Sequence, residues 1–280
     1  KTYISIMALI PDFYKNAVVS IGIKNDSGAT NWIGTGFLVV RQVDKDGYIP
    51  FLVSNKHVFQ GKKRIVFKMK ELGSNNWVEV PANLSEADGS TKYVIHSNPA
   101  IDIAVLQLNG DFINRNNLEF PAFDIDKNAM SSSELLENGF DDGSFIYMLG
   151  FPMGLVVKGA SRPICRMGCM ARICSEQISE TNNILIDIQN FPGNSGSPII
   201  SKPELVSITG TKNLSRSLLV GIVHSYIPYN DTLRSSQSGE IVEIRRENSG
   251  LAYAHPVEYI REIIDLIQPT VQIEDSTTTA

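Results

Sequence analysis

FPGNSGSP, residues 191–198, places a serine between two glycines, directly after a Pro-Gly-Asn sequence. Glycine, proline, asparagine and serine all favour turns, so the stretch alone is more typical of an ordinary surface turn than of a catalytic loop. A serine hydroxyl becomes a nucleophile at neutral pH only with a base within hydrogen-bond reach and a third group that orients the base. Other residues of the chain must therefore distinguish a turn residue from a nucleophile at Ser195.

The composition of the 280-residue chain is that of a globular protein, with 42% hydrophobic and 20% charged residues and a formal net charge of −5. This length can form one large or two small cores. No block of like charges indicates nucleic-acid binding, and the basic run at 62–70 is predicted to be a strand with a solvated face. No stretch approaches the roughly 18 apolar residues of a membrane span, so we predict no membrane partner.

Three cysteines, at positions 165, 169 and 174, lie close together in the sequence. An odd, clustered set does not form a disulfide framework, and the spacing differs from the C-x2-C pairs of zinc sites. We therefore predict no metal and no organic cofactor. Small buried cysteines in a reducing compartment favour a cytoplasmic location. A periplasmic or secreted location stays open, because the chain begins at Lys1 without a methionine.

Short β-type runs separated by turn residues recur along the chain, which favours barrels or sandwiches. The first group of predicted strands is at 17–24, 34–43, 51–59, 64–71, 92–97 and 102–108. A polar stretch with one short predicted helix, SSELLEN, separates them from a second group at 144–151, 164–173, 183–189, 197–201, 218–227, 240–246 and 251–255. The apolar stripe of residues 256–267, which begins with a proline, predicts a helix packed on a barrel.

The predicted organisation has two β units of similar size joined by a connector. The first unit covers residues 1–115, the connector 116–143, and the second unit with its terminal helix 144–267. The polar residues 268–280 are predicted to be a disordered tail or a peptide that docks on a partner.

A base for Ser195 must be one of four histidines, at positions 57, 96, 224 and 255. Any one of them alone is more often structural than catalytic. His57 follows the apolar run of FLVSNKHVF and is predicted to lie at an exposed strand end. Asp102 opens the apolar run DIAVLQL, where a buried carboxylate needs a partner such as an imidazole N–H.

SNKHV, DIAVLQL and GNSGSP, in the order His, Asp, Ser, resemble the trypsin-like (chymotrypsin-fold) serine proteases. The resemblance is closest to bacterial HtrA-type and glutamyl-endopeptidase-type protease domains, here without a PDZ domain. GTGFLV at 34–39, LGFPMG at 149–154 and GIVHSY at 221–226 are also similar to family segments. The resemblance implies an all-β fold of two antiparallel Greek-key β-barrels with a C-terminal α-helix.

The resemblance also implies a serine endopeptidase that acts on a protein or peptide substrate. His57 would take the proton of Ser195, Asp102 would orient His57, and Ser195 would carry the acyl group. Gly193, Asn194 and Ser195 would form the oxyanion hole, with the backbone N–H groups of the first and last as donors. An α/β-hydrolase is disfavoured, because its elbow reads G-x-S-x-G and its triad runs Ser, acid, His. The alternative is a non-catalytic peptide-binding or scaffold module.

Three segments would bind substrate by the same resemblance: Ile188, Gln189 and Asn190; His224, Ser225 and Tyr226; and Gly250 with Leu251. None of these residues is an acid, so an uncharged P1 residue of small to medium size is predicted, although the direction of the nearby Asp187 stays open. Glutamyl endopeptidases carry a cleft histidine in G-I-H, whereas this chain has G-I-V-H. The shift turns His224 to the other side of its strand, where it is predicted to be a second partner of the Asp102 carboxylate.

Asn194 stands where digestive trypsins have an aspartate that pairs with a new N-terminal amine. An uncharged amide cannot form that ion pair, so activity is predicted not to require N-terminal cleavage. Regulation by a protein partner is a further alternative, with the connector, residues 155–174 and the tail as candidate surfaces.

Overall fold

The computed structural model describes residues 10–45, 47–204, 212 and 214–267, and the predicted tail at 268–280 lies outside these ranges. The fold is all-β and chymotrypsin-like, with two β units and a C-terminal helix, as predicted. No helix in the described ranges is both long and apolar enough to cross a membrane.

The first β unit is an antiparallel sheet with the strand order β5-β4-β1-β2-β3-β7-β6. Its strands are β1 (Val18–Lys24), β2 (Thr30–Gln42), β3 (Tyr48–Ser54), β4 (Arg64–Lys70), β5 (Trp77–Asn83), β6 (Tyr93–Ile95) and β7 (Ala104–Gln107). The Lys92 N–H donates to the Leu84 carbonyl at 2.9 Å, which joins the segments that follow β5 and precede β6. A two-residue strand, β8 (Phe123–Asp124), adds to β2 in parallel.

The second β unit is a closed barrel with the strand order β10-β11-β14-β13-β12-β9. Its strands are β9 (Phe145–Gly150), β10 (Ile164–Arg172), β11 (Ile184–Asp187), β12 (Pro198–Ser201), β13 (Leu219–Arg234) and β14 (Ile241–Pro256). The last two strands extend beyond the barrel as a long hairpin whose far end is exposed on both faces.

Six short α-helices and one 3₁₀ turn, at Pro152–Gly154, complete the described fold. The α-helices are α1 (Asp12–Asn16), α2 (Lys56–Phe59), α3 (Gly110–Arg115), α4 (Ser132–Glu137), α5 (Ser175–Thr181) and α6 (Glu258–Ile267). The stripe of α6 buries Ile260, Ile263 and Ile264 completely, in a cluster that includes side chains from both β units. Burial of each isoleucine stabilises the fold by about 2 kcal/mol. The helix predicted at 256–267 is confirmed as α6, but it begins at Glu258, since Pro256 is still the last residue of β14 and pairs with Gly221. The helix predicted at SSELLEN is confirmed as α4, and the reciprocal Ser131–Glu134 capping box explains its start.

Several local predictions are wrong. The strand predicted at 51–59 ends at Ser54, and residues 56–59 form a helical turn. The strands predicted at 240–246 and 251–255 are one strand, because Gly250, at φ +89°, lies where β13 and β14 change register instead of in a turn. β5, α3 and α5 were not predicted.

The basic run and the cysteines also differ from the prediction. Lys68 is buried in β4, not solvated, and its Nζ donates to the carbonyls of Val157 and Lys158 at 3.1 and 3.2 Å. This ammonium therefore ties the segment after β9 to the first β unit. Cys165 is exposed and the other two cysteines are half-buried, so none of them is the small core residue that was predicted.

Candidate active site

Ser195 lies on the turn between β11 and β12, with its side chain half-buried. Backbone hydrogen bonds hold this turn from two sides. The Gly196 N–H donates to the Val223 carbonyl of β13 at 3.1 Å, and the Thr35 N–H of β2 donates to the Ser195 carbonyl at 2.9 Å. Both β units therefore contribute to the position of this serine.

Two glycines of the turn cannot be replaced without moving the backbone. Gly193 has φ +95°, and a Cβ there would lie 2.5 Å from the Phe151 carbonyl oxygen. Gly196 has φ +88°, and its Cβ would lie 2.0 Å from the Thr35 carbonyl oxygen. Only glycine accepts this conformation at such close approach, so FPGNSGSP is a packed cradle and not a loose surface turn.

The peptide bond before Gly193 has a fixed direction. The Pro192 carbonyl accepts the Met153 N–H at 2.6 Å. The carbonyl and the next N–H of a trans peptide point in opposite directions, so the Gly193 N–H faces away from Met153. Among the described residues, neither the Gly193 N–H nor the Ser195 N–H donates to a protein acceptor. Two neighbouring donors are thus free for a ligand.

Thr35 links the cradle to the segment after β9. Its Oγ1 donates to the Gly193 carbonyl at 2.7 Å and accepts the Phe151 N–H at 3.0 Å. Thr35 is completely buried. One side chain of the first β unit therefore bonds to both the cradle and the segment after β9.

His57 and Asp102 form a two-point contact. The His57 Nδ1 lies 2.5 Å from Asp102 Oδ2, and the His57 backbone N–H donates to Oδ1 at 3.0 Å. Burial alone would raise the pKa of Asp102, but the hydrogen bonds and charge of His57 outweigh burial and lower it. The carboxylate is therefore ionised at neutral pH and holds the ring in one orientation.

The backbone of Asp102 holds the segment that carries His57. The Asp102 carbonyl accepts the Asn55 Nδ2 at 2.8 Å and the Lys56 N–H at 3.2 Å. These bonds turn residues 55–57 out of the strand direction, which explains why α2 replaces the predicted end of a strand.

His224 was predicted to be a second partner of the Asp102 carboxylate, but it has a different hydrogen-bond partner. The His224 Nε2 pairs with Asn183 Oδ1 at 2.7 Å. Besides His57, the histidine that bonds to Asp102 is His255, and its Nε2 accepts the Asp102 backbone N–H at 2.9 Å instead of contacting the carboxylate. The two imidazole rings stack with centroids 4.2 Å apart. The register between β13 and β14 shifts between Val223 and Ser225, at His224. Simple strand alternation therefore does not predict the partner of this side chain.

His255 is the site residue that sequence reasoning missed. It is completely buried at the end of β14, in the run LAYAHP. A histidine in an otherwise apolar or small strand segment needs partners for both ring nitrogens, and this requirement was the available signal.

Ser195 and His57 lie on neighbouring segments without a direct bond. Among the described residues no hydrogen bond joins the Ser195 Oγ to the His57 ring. A Cβ on Gly34 would lie 2.9 Å from the Val58 side chain and 3.5 Å from the Ser195 carbonyl oxygen, so the turn after His57 and the nucleophile turn pack on the same strand. Hydrogen bonds between a serine hydroxyl and a histidine base are often long without substrate and tighten in the reacting complex.

The predicted substrate-binding segments lie side by side. β14 pairs with both neighbours, with Leu251 opposite Asp187 and Ala252 opposite Tyr226. The side chains differ in exposure: Asn190 is buried, Ile188 is buried, Ser225 and Leu251 are half-buried, and Gln189, Asp187 and Tyr226 are exposed. The Asn190 carbonyl accepts the Asn248 Nδ2 at 2.6 Å, which ties this segment to the long hairpin.

A metal centre is not evident in the part of the chain that the structure describes, since no three His, Cys, Asp or Glu side chains there are placed to share an ion. The predicted cysteine cluster therefore offers no ligand set among these residues.

Comparisons with known proteins identify the family of the chain. The trypsin-like peptidase domain model matches residues 34–206, which is more than half of the chain. No curated protein matches the chain. Among solved structures, the chain is similar to the HtrA-type protease AlgW with decapeptide, at 16% identity and a TM-score of 0.47, over 93% of this chain and 67% of that chain. The family match shows that the chain belongs to the trypsin-like peptidases.

Proposed function

We propose that the protein is a serine endopeptidase with Ser195 as nucleophile, His57 as base and Asp102 as the group that orients the base. The observation that carries the proposal is the two-point contact of His57 with the Asp102 carboxylate, at 2.5 and 3.0 Å. This contact is found in a chain whose family hydrolyses peptide bonds, beside a serine in a glycine cradle.

The proposed reaction depends on which nitrogen of the His57 ring carries the proton. Its Nδ1 pairs with the carboxylate, which leaves Nε2 unprotonated and able to take the Ser195 proton. Ser195 then attacks the peptide carbonyl, and the imidazolium returns the proton to the leaving amine, which breaks the C–N bond and leaves Ser195 acylated. A water molecule, which gives a proton to His57, then attacks the acyl-enzyme ester, and Ser195 leaves with its proton restored. The ionised Asp102 stabilises the imidazolium while it exists.

The negative charge of the tetrahedral intermediate needs donors that are in place before the reaction. The Gly193 and Ser195 N–H groups, on either side of Asn194, are the proposed donors. Their support is that the Pro192 carbonyl is already bonded to Met153 at 2.6 Å, which leaves the Gly193 N–H on the opposite side. Loss of one such donor costs about 10²–10³ in turnover.

Activity without N-terminal cleavage is also proposed. Asn194 is completely buried, and neither Oδ1 nor Nδ2 has a hydrogen-bond partner within the described residues. Such an amide cannot hold a new N-terminal amine by charge. The test compares a chain extended at its N-terminus with its trimmed form, and an extended chain that is inert until trimmed contradicts the proposal.

An uncharged P1 residue of small to medium size is the proposed preference. Asp187 is exposed, and its Oδ1 lies 4.0 Å from the position of a Cβ on Gly250, so it lines the edge of this region and not its buried base. A peptide library digested by the enzyme measures the preference. Cleavage restricted to Glu, or to Lys and Arg, contradicts it.

The first experiment on the function is intact mass after treatment with a fluorophosphonate. We expect one adduct on the wild-type protein and none on Ser195→Ala. No adduct on either protein favours the alternative, a trypsin-like module that binds peptides without cleaving them.

A further inference from the structure

A stacked histidine pair lies directly behind the proposed triad aspartate and has no part in the chemistry described above. His224 is on β13 and His255 on β14, with their ring planes 10° apart. The first ring is mostly buried and the second completely. Buried imidazoles need a specific reason, because each ring nitrogen must be satisfied within the protein.

The hydrogen bonds of His255 define one tautomer. Its Nε2 accepts the Asp102 backbone N–H at 2.9 Å and therefore carries no proton. Its Nδ1 lies 2.8 Å from the Asn182 carbonyl and must donate to it. The ring is therefore neutral with its proton on Nδ1, and burial lowers the pKa of His255, which preserves this form.

The turn after α5 supports both rings. Asn182 has φ +58° in the left-handed region at the C-terminal end of α5, and its carbonyl accepts from His255. The next residue, Asn183, is bonded through Oδ1 to His224 at 2.7 Å. Asparagine tolerates this backbone better than most residues, which suits Asn182 to this turn.

The bond from His255 completes the support of the Asp102 backbone. The carbonyl of Asp102 is held by Asn55 and Lys56, and its N–H is held by His255. With both peptide groups fixed, the Asp102 side chain leaves the backbone in a single direction, toward His57. A rotation of the peptide before Asp102 would move the carboxylate off the imidazole.

We propose that His255 is a positioning residue for the reaction: its unprotonated Nε2 fixes the Asp102 backbone and thereby aims the carboxylate at His57. The inference rests on the proposed serine endopeptidase function. His224 supports it by stacking on His255, which keeps the ring plane fixed. The titratable and charged groups around the pair are Asp102, His57, His96, Lys56, Tyr253 and Tyr259.

The test compares His255→Phe with His255→Gln. Phenylalanine keeps a ring to stack on His224 but offers no acceptor, whereas the glutamine Oε1 is able to accept the Asp102 N–H. We expect kcat on a peptide ester to fall about 100-fold in His255→Phe, with KM within about twofold, because misplacement of a reacting group costs this much. Glutamine should restore kcat to within about fivefold of wild type.

The outcomes separate positioning from mere stability. A His255→Phe protein that melts at lower temperature but retains the wild-type kcat overturns the proposal. A wild-type protein that takes no fluorophosphonate label contradicts the proposed function instead, and so the two failures are distinguishable.

A second measurement is made on the wild-type protein and uses a variant only to assign the signal. Proton–nitrogen correlation spectra of wild-type protein labelled with ¹⁵N-histidine report the tautomer of each ring. We expect one buried histidine, assigned to His255 by its loss in His255→Gln, with its proton on Nδ1 at neutral pH. A proton on Nε2, or an imidazolium, overturns the proposal.

Discussion

The two halves of the candidate site are held by different kinds of contact. On the acid–base side, every polar atom of Asp102 has a protein partner, from its backbone N–H to both carboxylate oxygens. On the nucleophile side, the buried side chains of Asn194 and Ser197 have no hydrogen-bond partner among the described residues. That side is held by backbone hydrogen bonds, by the Thr35 hydroxyl and by close packing of the backbone at Gly193 and Gly196.

The difference has a consequence for how each half responds to substitution. A fully paired carboxylate is sensitive to the chemistry of one atom, because a lost acceptor leaves buried donors unsatisfied. A glycine cradle is sensitive to volume, because a single methyl group meets a carbonyl oxygen. Acid–base residues should therefore tolerate no isosteric change, and the cradle should tolerate no added atom.

The largest effect is expected from Asp102→Asn, which keeps the shape but changes the atoms at the ring. The amide cannot accept from both the His57 ring and backbone, so the tautomer with Nε2 free for Ser195 is lost. We expect kcat to fall by about 10⁴. Asp88→Asn is the matched control, since Asp88 bonds only locally to Ser90. Equal activity of Asp102→Asn and wild type would show that the acid–base side is not sensitive to the chemistry of a single atom.

The next largest effect is expected from Gly193→Ala, which tests the cradle by volume. Its Cβ would lie 2.5 Å from the Phe151 oxygen, so the peptide must move and withdraw one oxyanion donor. We expect a 10²- to 10³-fold lower kcat, about the cost of one donor, with the far-ultraviolet circular dichroism unchanged. In Gly159→Ala the new methyl meets no atom within 4 Å, and wild-type activity is expected. A Gly193→Ala enzyme as active as this control would show that the cradle does not set the donor.

A smaller effect is expected from Lys68→Met, which tests how the first β unit supports the nucleophile side. The substitution leaves the carbonyls of Val157 and Lys158 without their buried donor. We expect the free energy of unfolding to fall by about 1–3 kcal/mol in urea titrations. Lys70→Met, on the same strand, removes only a half-buried pair with Glu119 and should cost about 1 kcal/mol or less. Equal losses in the two variants would mean that Lys68 does not anchor this segment.

Local signals in the sequence were sufficient for much of the fold and for the residues proposed as the triad. The stripe of isoleucines gives α6, and the Ser131–Glu134 capping box gives α4, because both depend on neighbours along the chain. SNKHV and GNSGSP carry their chemistry within a few residues, and so resemblance to a family was able to single out His57 and Ser195.

The errors lie where distant contacts override local preference. The α2 turn depends on Asp102, which is 47 positions from Asn55 along the chain. Gly250 is a typical turn residue, yet cross-strand pairing holds it inside β14. The contact of His255 with Asp102 joins residues 153 positions apart, through a register that strand alternation alone does not give. In none of these cases does one segment of the sequence identify the distant partner.

The last prediction concerns the dependence of stability on pH, and it tests the histidines behind the acid–base side. Burial, with the adjacent His255 adding to it, lowers the pKa of His224 from 6.5 to about 3. The unfolded chain therefore binds a proton below pH 6.5 that the folded protein does not, so stability falls as the pH drops from 6.5 toward 3. Each such histidine contributes a loss of about 1.4 kcal/mol per pH unit in this range.

Urea unfolding of the wild-type protein and of His224→Asn, between pH 6 and 4.5, measures this contribution. Carboxylates with lowered pKa values, such as Asp102 and Glu134, begin to lose their stabilising charge only near the acid end of this window, and they do so equally in both proteins. The variant should lose stability less steeply than wild type, by about 1.4 kcal/mol per pH unit. Identical slopes would mean that the His224 ring takes up a proton in the folded state, and the stack would then tolerate a cation. In that case the support that His224 gives to His255 would not depend on an uncharged ring.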